Sequence, residues 1–208
     1  MGKVRQYLFG THDPYLNPEP ILPLNAHGWA SHSVVFAEYI NIIKPELIIE
    51  VGTWMGASAR HMANLAIMQN PNVEVVCVDT FLGSEEHWRG GAAPMVIFEN
   101  GRPNVYRQFL SNIIQTGLQN IITPFPIDSI NAAVVIKRAQ ILADIIYIDA
   151  AHDYESVKLD LKNWLPILRP GGVLIGDDIN YGPVATAAAE MVPGYMKKGE
   201  KFVWIKPL

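Results

Sequence analysis

The sequence predicts an α/β domain. It would be a doubly wound, mostly parallel sheet with helices on both faces and a short antiparallel strand at the C-terminal end. Three observations lead there. Short apolar runs recur along the 208 residues, at Leu47–Val51, Val73–Asp79, Ile121–Pro126, Ile145–Asp149 and Val173–Asp177. Stretches with helical spacing separate them, near Ala57–Gln69, Val105–Thr116, Asn131–Gln140 and Tyr154–Leu165. A turn bearing Gly52 and Gly56 joins the first run to the first of these helices. Strand, glycine turn and helix form the opening unit of a nucleotide-binding fold, where backbone N–H groups at the helix start face a ligand.

The elements follow in order. Residues 1–26 read as an irregular arm, because Pro14, Pro18, Pro20 and Pro23 crowd residues 11–26 and proline interrupts regular structure. The arm is long enough to cross to a neighbouring subunit, so a homo-oligomer is an expectation. Residues 27–208 read as one domain, a size that buries a full core. His27–Lys44 reads as a helix stopped by Pro45, and the first strand follows. Thr80–Pro103 is a long connection rich in glycine and proline, and such loops are usually functional or mobile. Val184–Met191 reads as a brief helix. Lys201–Lys206 reads as a last strand, paired with Gly194–Lys198 as a hairpin.

Composition narrows the partners. Half of the residues are apolar and 17% are charged, with a formal net charge of −4. Nucleic acid and anionic membranes both call for basic patches, so neither is expected as a partner. Cys77 stands alone inside an apolar run and reads as a core residue; one cysteine forms no internal disulfide, which suits a reducing compartment. No apolar run reaches membrane-spanning length and no secretory signal opens the chain, so the expected location is the cytoplasm.

Chemistry concentrates where the apolar runs stop. In open α/β sheets the ligand lies beyond the carboxyl ends of the strands. Here the runs end on Glu50, Asp79, Asp149 and Asp177, the last followed by Asp178. Each alone has a structural reading as a helix N-cap or loop anchor; converging on one sheet edge, they point to a site. Asp79 closes the second strand, where nucleotide-binding folds set an acid against ribose hydroxyls. The G-x-x-x-G turn lacks the denser glycine fingerprint of a pyrophosphate site, so a ligand with ribose but no pyrophosphate fits it better.

At these residues the chain resembles class I S-adenosylmethionine-dependent methyltransferases, from about Val34 to Asp178. "EVGTWMGAS" is similar to their first motif and "VVCVDTF" to their second-strand motif. "IIYIDAAHDYESVKLDLKNWLPILRPGGVLIGDD" resembles the branch of small metal-dependent O-methyltransferases, which includes catechol and antibiotic-sugar O-methyltransferases. The resemblance implies a Rossmann-like fold and transfer of the S-adenosylmethionine methyl group to a hydroxyl of a small molecule. It implies that Glu50, Gly52, Thr53, Gly56 and Ser58 surround the methionine part of the cofactor and that Asp79 holds the ribose. Asp128, in "PIDSI", would meet the adenine with Ser129 beside it; a plain helix N-cap is the alternative for Asp128.

The resemblance also implies a metal. Asp149, Asp177 and Asp178 would hold a divalent cation, Mg2+ first among the oxygen-preferring ions, because three unpaired carboxylates so close repel one another. The cation would acidify the acceptor hydroxyl, placing Asp149 in the catalytic set. His152, three residues after Asp149, stands where the catechol enzymes carry a lysine base. The sugar enzymes place an acid two residues after the metal aspartate, and Ala151 stands there instead. Asp153 is a weaker base candidate and equally an N-cap. Trp29, His32, Trp54, His87, Trp88 and Arg89 are candidates for an acceptor pocket. Methylation at nitrogen or carbon without metal, and a non-catalytic nucleoside-binding module, are the rival functions. A nicotinamide-dependent dehydrogenase is disfavoured, since the pyrophosphate fingerprint is absent.

Overall fold

The structure is a computed structural model and describes residues 2–16, 21–88 and 96–208. The first strand, β1 (Leu47–Val51), is buried along its whole length. Its neighbours are β2 (Glu74–Asp79) on one side and β6 (Ala143–Ile148) on the other, both parallel to it. β5 (Ile122–Pro126) extends the sheet past β2, and β7 (Leu168–Gly176) extends it past β6, again in parallel. β9 (Lys201–Ile205) then pairs antiparallel with β7, and β8 (Met196–Lys198) pairs antiparallel with β9. The order is β5-β2-β1-β6-β7-β9-β8. It reverses between β1 and β6, the switch point where open α/β sheets form a ligand crevice.

Alternating side chains of β1 feed two cores. Leu47, Ile49 and Val51 pack with α6 (Ser129–Arg138), α7 (Tyr154–Trp164) and α8 (Gly182–Met191). Ile48 faces α2 (Val34–Ile43), α3 (Ala57–Ile67) and α5 (Val105–Gln115). The doubly wound architecture expected from the sequence is present, and each predicted strand and helix overlaps an observed element. Cys77 is a fully buried core residue.

Two expectations need correction. The helix expected over His27–Lys44 begins only at Val34. Ala30 holds a left-handed φ of +44° that breaks any earlier turn, and Ser33 caps α2 by accepting from the Val35 N–H at 3.3 Å. The arm also contains a helix, α1 (Lys3–Phe9). The Glu74 carboxylate accepts the N–H groups of Val4 and Arg5, both at 2.8 Å, satisfying donors that a helix N-terminus leaves open. That cap comes from a residue some 70 positions away, beyond the reach of a local pattern. Residues 23 and 25 also pack on α5 of the same chain. Asn112 donates to the Asn25 carbonyl at 2.8 Å, and Gln108 donates to the Pro23 carbonyl at 2.9 Å.

The long connection holds regular structure in its described residues. It carries the short helix α4 (Glu85–Trp88) and a small hairpin of β3 (Phe98–Glu99) with β4 (Arg102–Pro103). Arg89, Gly90 and Gly91 lie outside the described residues. Among the described residues no helix is long and apolar enough to cross a membrane.

Candidate active site

Glu50 anchors the glycine turn from beneath. It has no solvent exposure, and its carboxylate accepts the hydroxyl protons of Thr53 and Ser58. Burial pushes its pKa up to about 7, against the lowering effect of those two hydrogen bonds. The turn it holds is conformationally demanding. Gly52 has φ of +86°, and a Cβ there would lie 1.9 Å from the Asp149 carbonyl oxygen. Gly56 has φ of +80°, and a Cβ there would press the Phe109 ring at 2.9 Å. These glycines are therefore demanded by the close approach of the chain's own β6 loop and of α5. The consequence for function is contact: the turn after β1 rests directly on the loop after β6.

Asp79 closes the other side of the crevice. It accepts the Trp54 N–H at 2.8 Å and the Phe81 N–H at 2.7 Å, holding Trp54 at a left-handed φ of +52°. Burial raises its pKa, and those backbone N–H groups oppose the rise. Above it the Trp54 ring stacks on His87, with centroids 4.3 Å apart, and Trp29 leans on Trp54 at 6.4 Å. Among the described residues, the Trp54 indole Nε1 and the His87 Nε2 are buried without a hydrogen-bond partner. Buried polar atoms in that condition are uncommon and suit a polar ligand that would satisfy them.

The acids after β6 and β7 converge, but not as three open carboxylates. Asp177 is buried and paired with the buried ammonium of Lys201, the first residue of β9. Its other oxygen accepts the Asp178 N–H at 2.9 Å. The Tyr147 hydroxyl lies 2.8 Å from Asp149 Oδ2 and 2.7 Å from Asp177 Oδ2, so its single proton serves one of them at a time. Burial, reinforced by the charge of Asp177, pushes Asp149 up to about 7. Asp178 Oδ2 lies 2.9 Å from His152 Nε2, and that hydrogen bond is the main reason the Asp178 pKa is lowered. Among the described residues, Asp149, His152 and Asp178 bring donor atoms within 4.8 Å of one another, with His152 Nε2 already turned onto Asp178. Asp177, expected as a ligand, is not among them, because a lysine already occupies it.

A family model described as a methyltransferase domain matches residues 49–179, from β1 through the acids after β7. The chain belongs to the methyltransferase domain family. Solved structures share the fold of this domain at low identity. NovP, an O-methyltransferase, matches with a TM-score of 0.63 and 16% identity over 89% of this chain and 84% of its own. The calicheamicin methyltransferase CalS11 matches at 0.60 and 16% over 83% and 76%. A Bacillus cereus O-methyltransferase in complex with SAH matches at 0.57 and 16% over 99% and 98%. In sequence, an uncharacterised protein y4gI of Sinorhizobium fredii (strain NBRC 101917 / NGR234) is 24% identical over 152 residues. Those residues are 72% of this chain, and the chain spans about 15% of that relative's length.

Other expected residues of the methyltransferase domain have structural partners of their own, with Asp128 two residues beyond Pro126, the β5 residue that pairs with Asp79. Asp128 is the N-cap of α6, accepting the Asn131 N–H at 3.0 Å. The Ser129 hydroxyl donates to the buried Asp160 on α7 and accepts the Trp164 indole N–H at 2.8 Å. Asp153 is the N-cap of α7. Trp88 is half exposed, with its indole N–H on the Leu82 carbonyl at 2.9 Å. His32 lies 4.7 Å from His61 and lines a cavity of about 680 Å³ between residues 28–35 and the β8–β9 hairpin. Two members of the acid network escaped the sequence reading, Tyr147 and Lys201. A tyrosine inside the apolar run Ile145–Ile148 was the available signal for one. For the other, Lys201 shares a strand face with the buried Val203.

Proposed function

We propose that this chain is an S-adenosylmethionine-dependent O-methyltransferase acting on a hydroxyl of a small molecule. The observation that carries the reading is the contact of Gly52 with the Asp149 backbone, which sets the cofactor turn against the loop that bears His152. A nucleoside fits the crevice: Asp79 presents a carboxylate for ribose hydroxyls, and the unsatisfied Trp54 Nε1 and His87 Nε2 lie beside it. S-adenosylmethionine, when bound, supplies an electrophilic methyl group on a sulfonium.

The rest of the chemistry falls to the protein. His152 takes the proton of the acceptor hydroxyl as the methyl–oxygen bond forms and the methyl–sulfur bond breaks. Asp178, 2.9 Å from Nε2, orients the imidazole and stabilises its protonated form. The turn and the loop hold donor and acceptor in line, which removes much of the entropic barrier.

The divalent cation implied by the three-carboxylate pattern does not fit these residues. Part of the repulsion it was to relieve is met by Lys201 on Asp177, Tyr147 beside Asp149 and His152 on Asp178, and the rest shows as the raised pKa of Asp149. No step is assigned to a metal.

Transfer of radiolabelled methyl from S-adenosylmethionine to a panel of hydroxylated small molecules tests the proposal. His152→Ala should lower turnover by roughly 10²–10⁴-fold while cofactor affinity is kept. Label appearing on nitrogen or carbon would favour the rival methyltransferase reading. Cofactor binding with no acceptor ever labelled would favour a nucleoside-binding module.

A further inference from the structure

Lys201 is 2% exposed and Asp177 is 7% exposed, so neither charge can be completed by water. The ammonium contacts Asp177 and lies 3.0 Å from the Tyr147 hydroxyl. Two rings confine it as well, with centroids 5.2 Å (Phe36) and 4.9 Å (Tyr147) from Nζ. Its backbone is equally fixed. The next residue, Phe202, pairs with Gly176 across the β7–β9 ladder, so tightly that a Cβ at Gly176 would lie 2.1 Å from the Phe202 ring. A dication approaching Asp177 would meet a fixed positive charge, and displacing that charge would strand it in the core.

We propose that Lys201 is a built-in substitute for a divalent cation, holding Asp177 out of any ligand set so that this sheet edge works without metal. The proposal rests on the O-methyltransferase reading of the same site. Lys201 acts through Asp177 and Tyr147, and is a positioning residue. What a dication would do for the folded protein, offsetting the convergent carboxylates, the ammonium does from inside the core. The hydroxyl proton is then left to His152.

The test is Mn2+ binding by the full chain after stripping with chelator, followed by electron paramagnetic resonance and calorimetry, with S-adenosylhomocysteine titrated in parallel. The native chain should give no saturable Mn2+ binding at millimolar concentration. Lys201→Met, which frees Asp177 while filling the same space, should give saturable Mn2+ binding, roughly 10–100-fold tighter than the millimolar limit set by the native chain, the scale on which a ligand's partners alter metal affinity. Should Lys201→Met fail to fold alone, Mn2+ present during refolding should restore it. Saturable Mn2+ binding by the native chain overturns the proposal, as does a Lys201→Met chain that neither binds Mn2+ nor is rescued by it. Loss of S-adenosylhomocysteine binding would instead count against the methyltransferase reading, whatever the Mn2+ result.

Discussion

Burial sets the charge state of Glu50, and that has a consequence for stability. Its carboxyl is raised from 4.5 to about 7 in the fold, so between those values the folded chain holds a proton that the unfolded chain has released. Stability from this group is therefore full below about pH 4.5 and is lost as pH rises towards 7, by roughly 3 kcal/mol at 1.36 kcal/mol per unit. Asp160, raised to about 6 by burial, acts in the same direction. His61, lowered by burial, opposes them as a single half-buried group. With Asp149, raised to about 7 mainly by burial, acting in the same direction, thermal unfolding should show a higher melting temperature near pH 5 than near pH 8, and Glu50→Gln should reduce the difference. An equal slope in the variant would contradict this assignment. The acid itself was legible at the end of an apolar run, and its partners Thr53 and Ser58 lie in the same motif. Lys201 was not legible as Asp177's partner, because 24 residues separate the two and only the β7–β9 pairing unites them.

At the scale of elements, the turn after β1 is where local sequence and tertiary packing meet. Its glycines announced a special backbone, but the reason lay in the loop after β6, which no pattern within residues 47–58 could show. Gly52→Ala would place a methyl group 1.9 Å from the Asp149 carbonyl oxygen in a left-handed conformation. Stability should fall by at least about 2 kcal/mol, from strain alone before the clash is added. Because the turn carries Trp54 and rests on the loop of His152, S-adenosylhomocysteine affinity should drop as well. Denaturant unfolding and a binding titration of the same variant measure both. A stable variant with native affinity would show that this contact does not couple cofactor turn and acid loop. The strands and most helices were legible because their apolar spacing is local. α1 was not, since its cap is Glu74 on β2.

Across the whole molecule, strand order turns scattered motifs into one crevice. The reversal between β1 and β6 brings Glu50, Asp79 and Asp149 to the same edge, and the family match over residues 49–179 spans those elements. That convergence was foreseen from where the apolar runs end. What was not foreseen is that the edge carries its own counter-charges, contributed by β9 from beyond the matched region. The account stands or falls on the nucleoside crevice. Calorimetric titration of the native chain and of Asp79→Ala with S-adenosylhomocysteine tests it most directly. The native chain should bind with one site. The variant should bind about tenfold or more weaker, as expected for losing charge-assisted hydrogen bonds of about 1.5–3 kcal/mol. No binding to the native chain, or equal affinity in the two proteins, would contradict it.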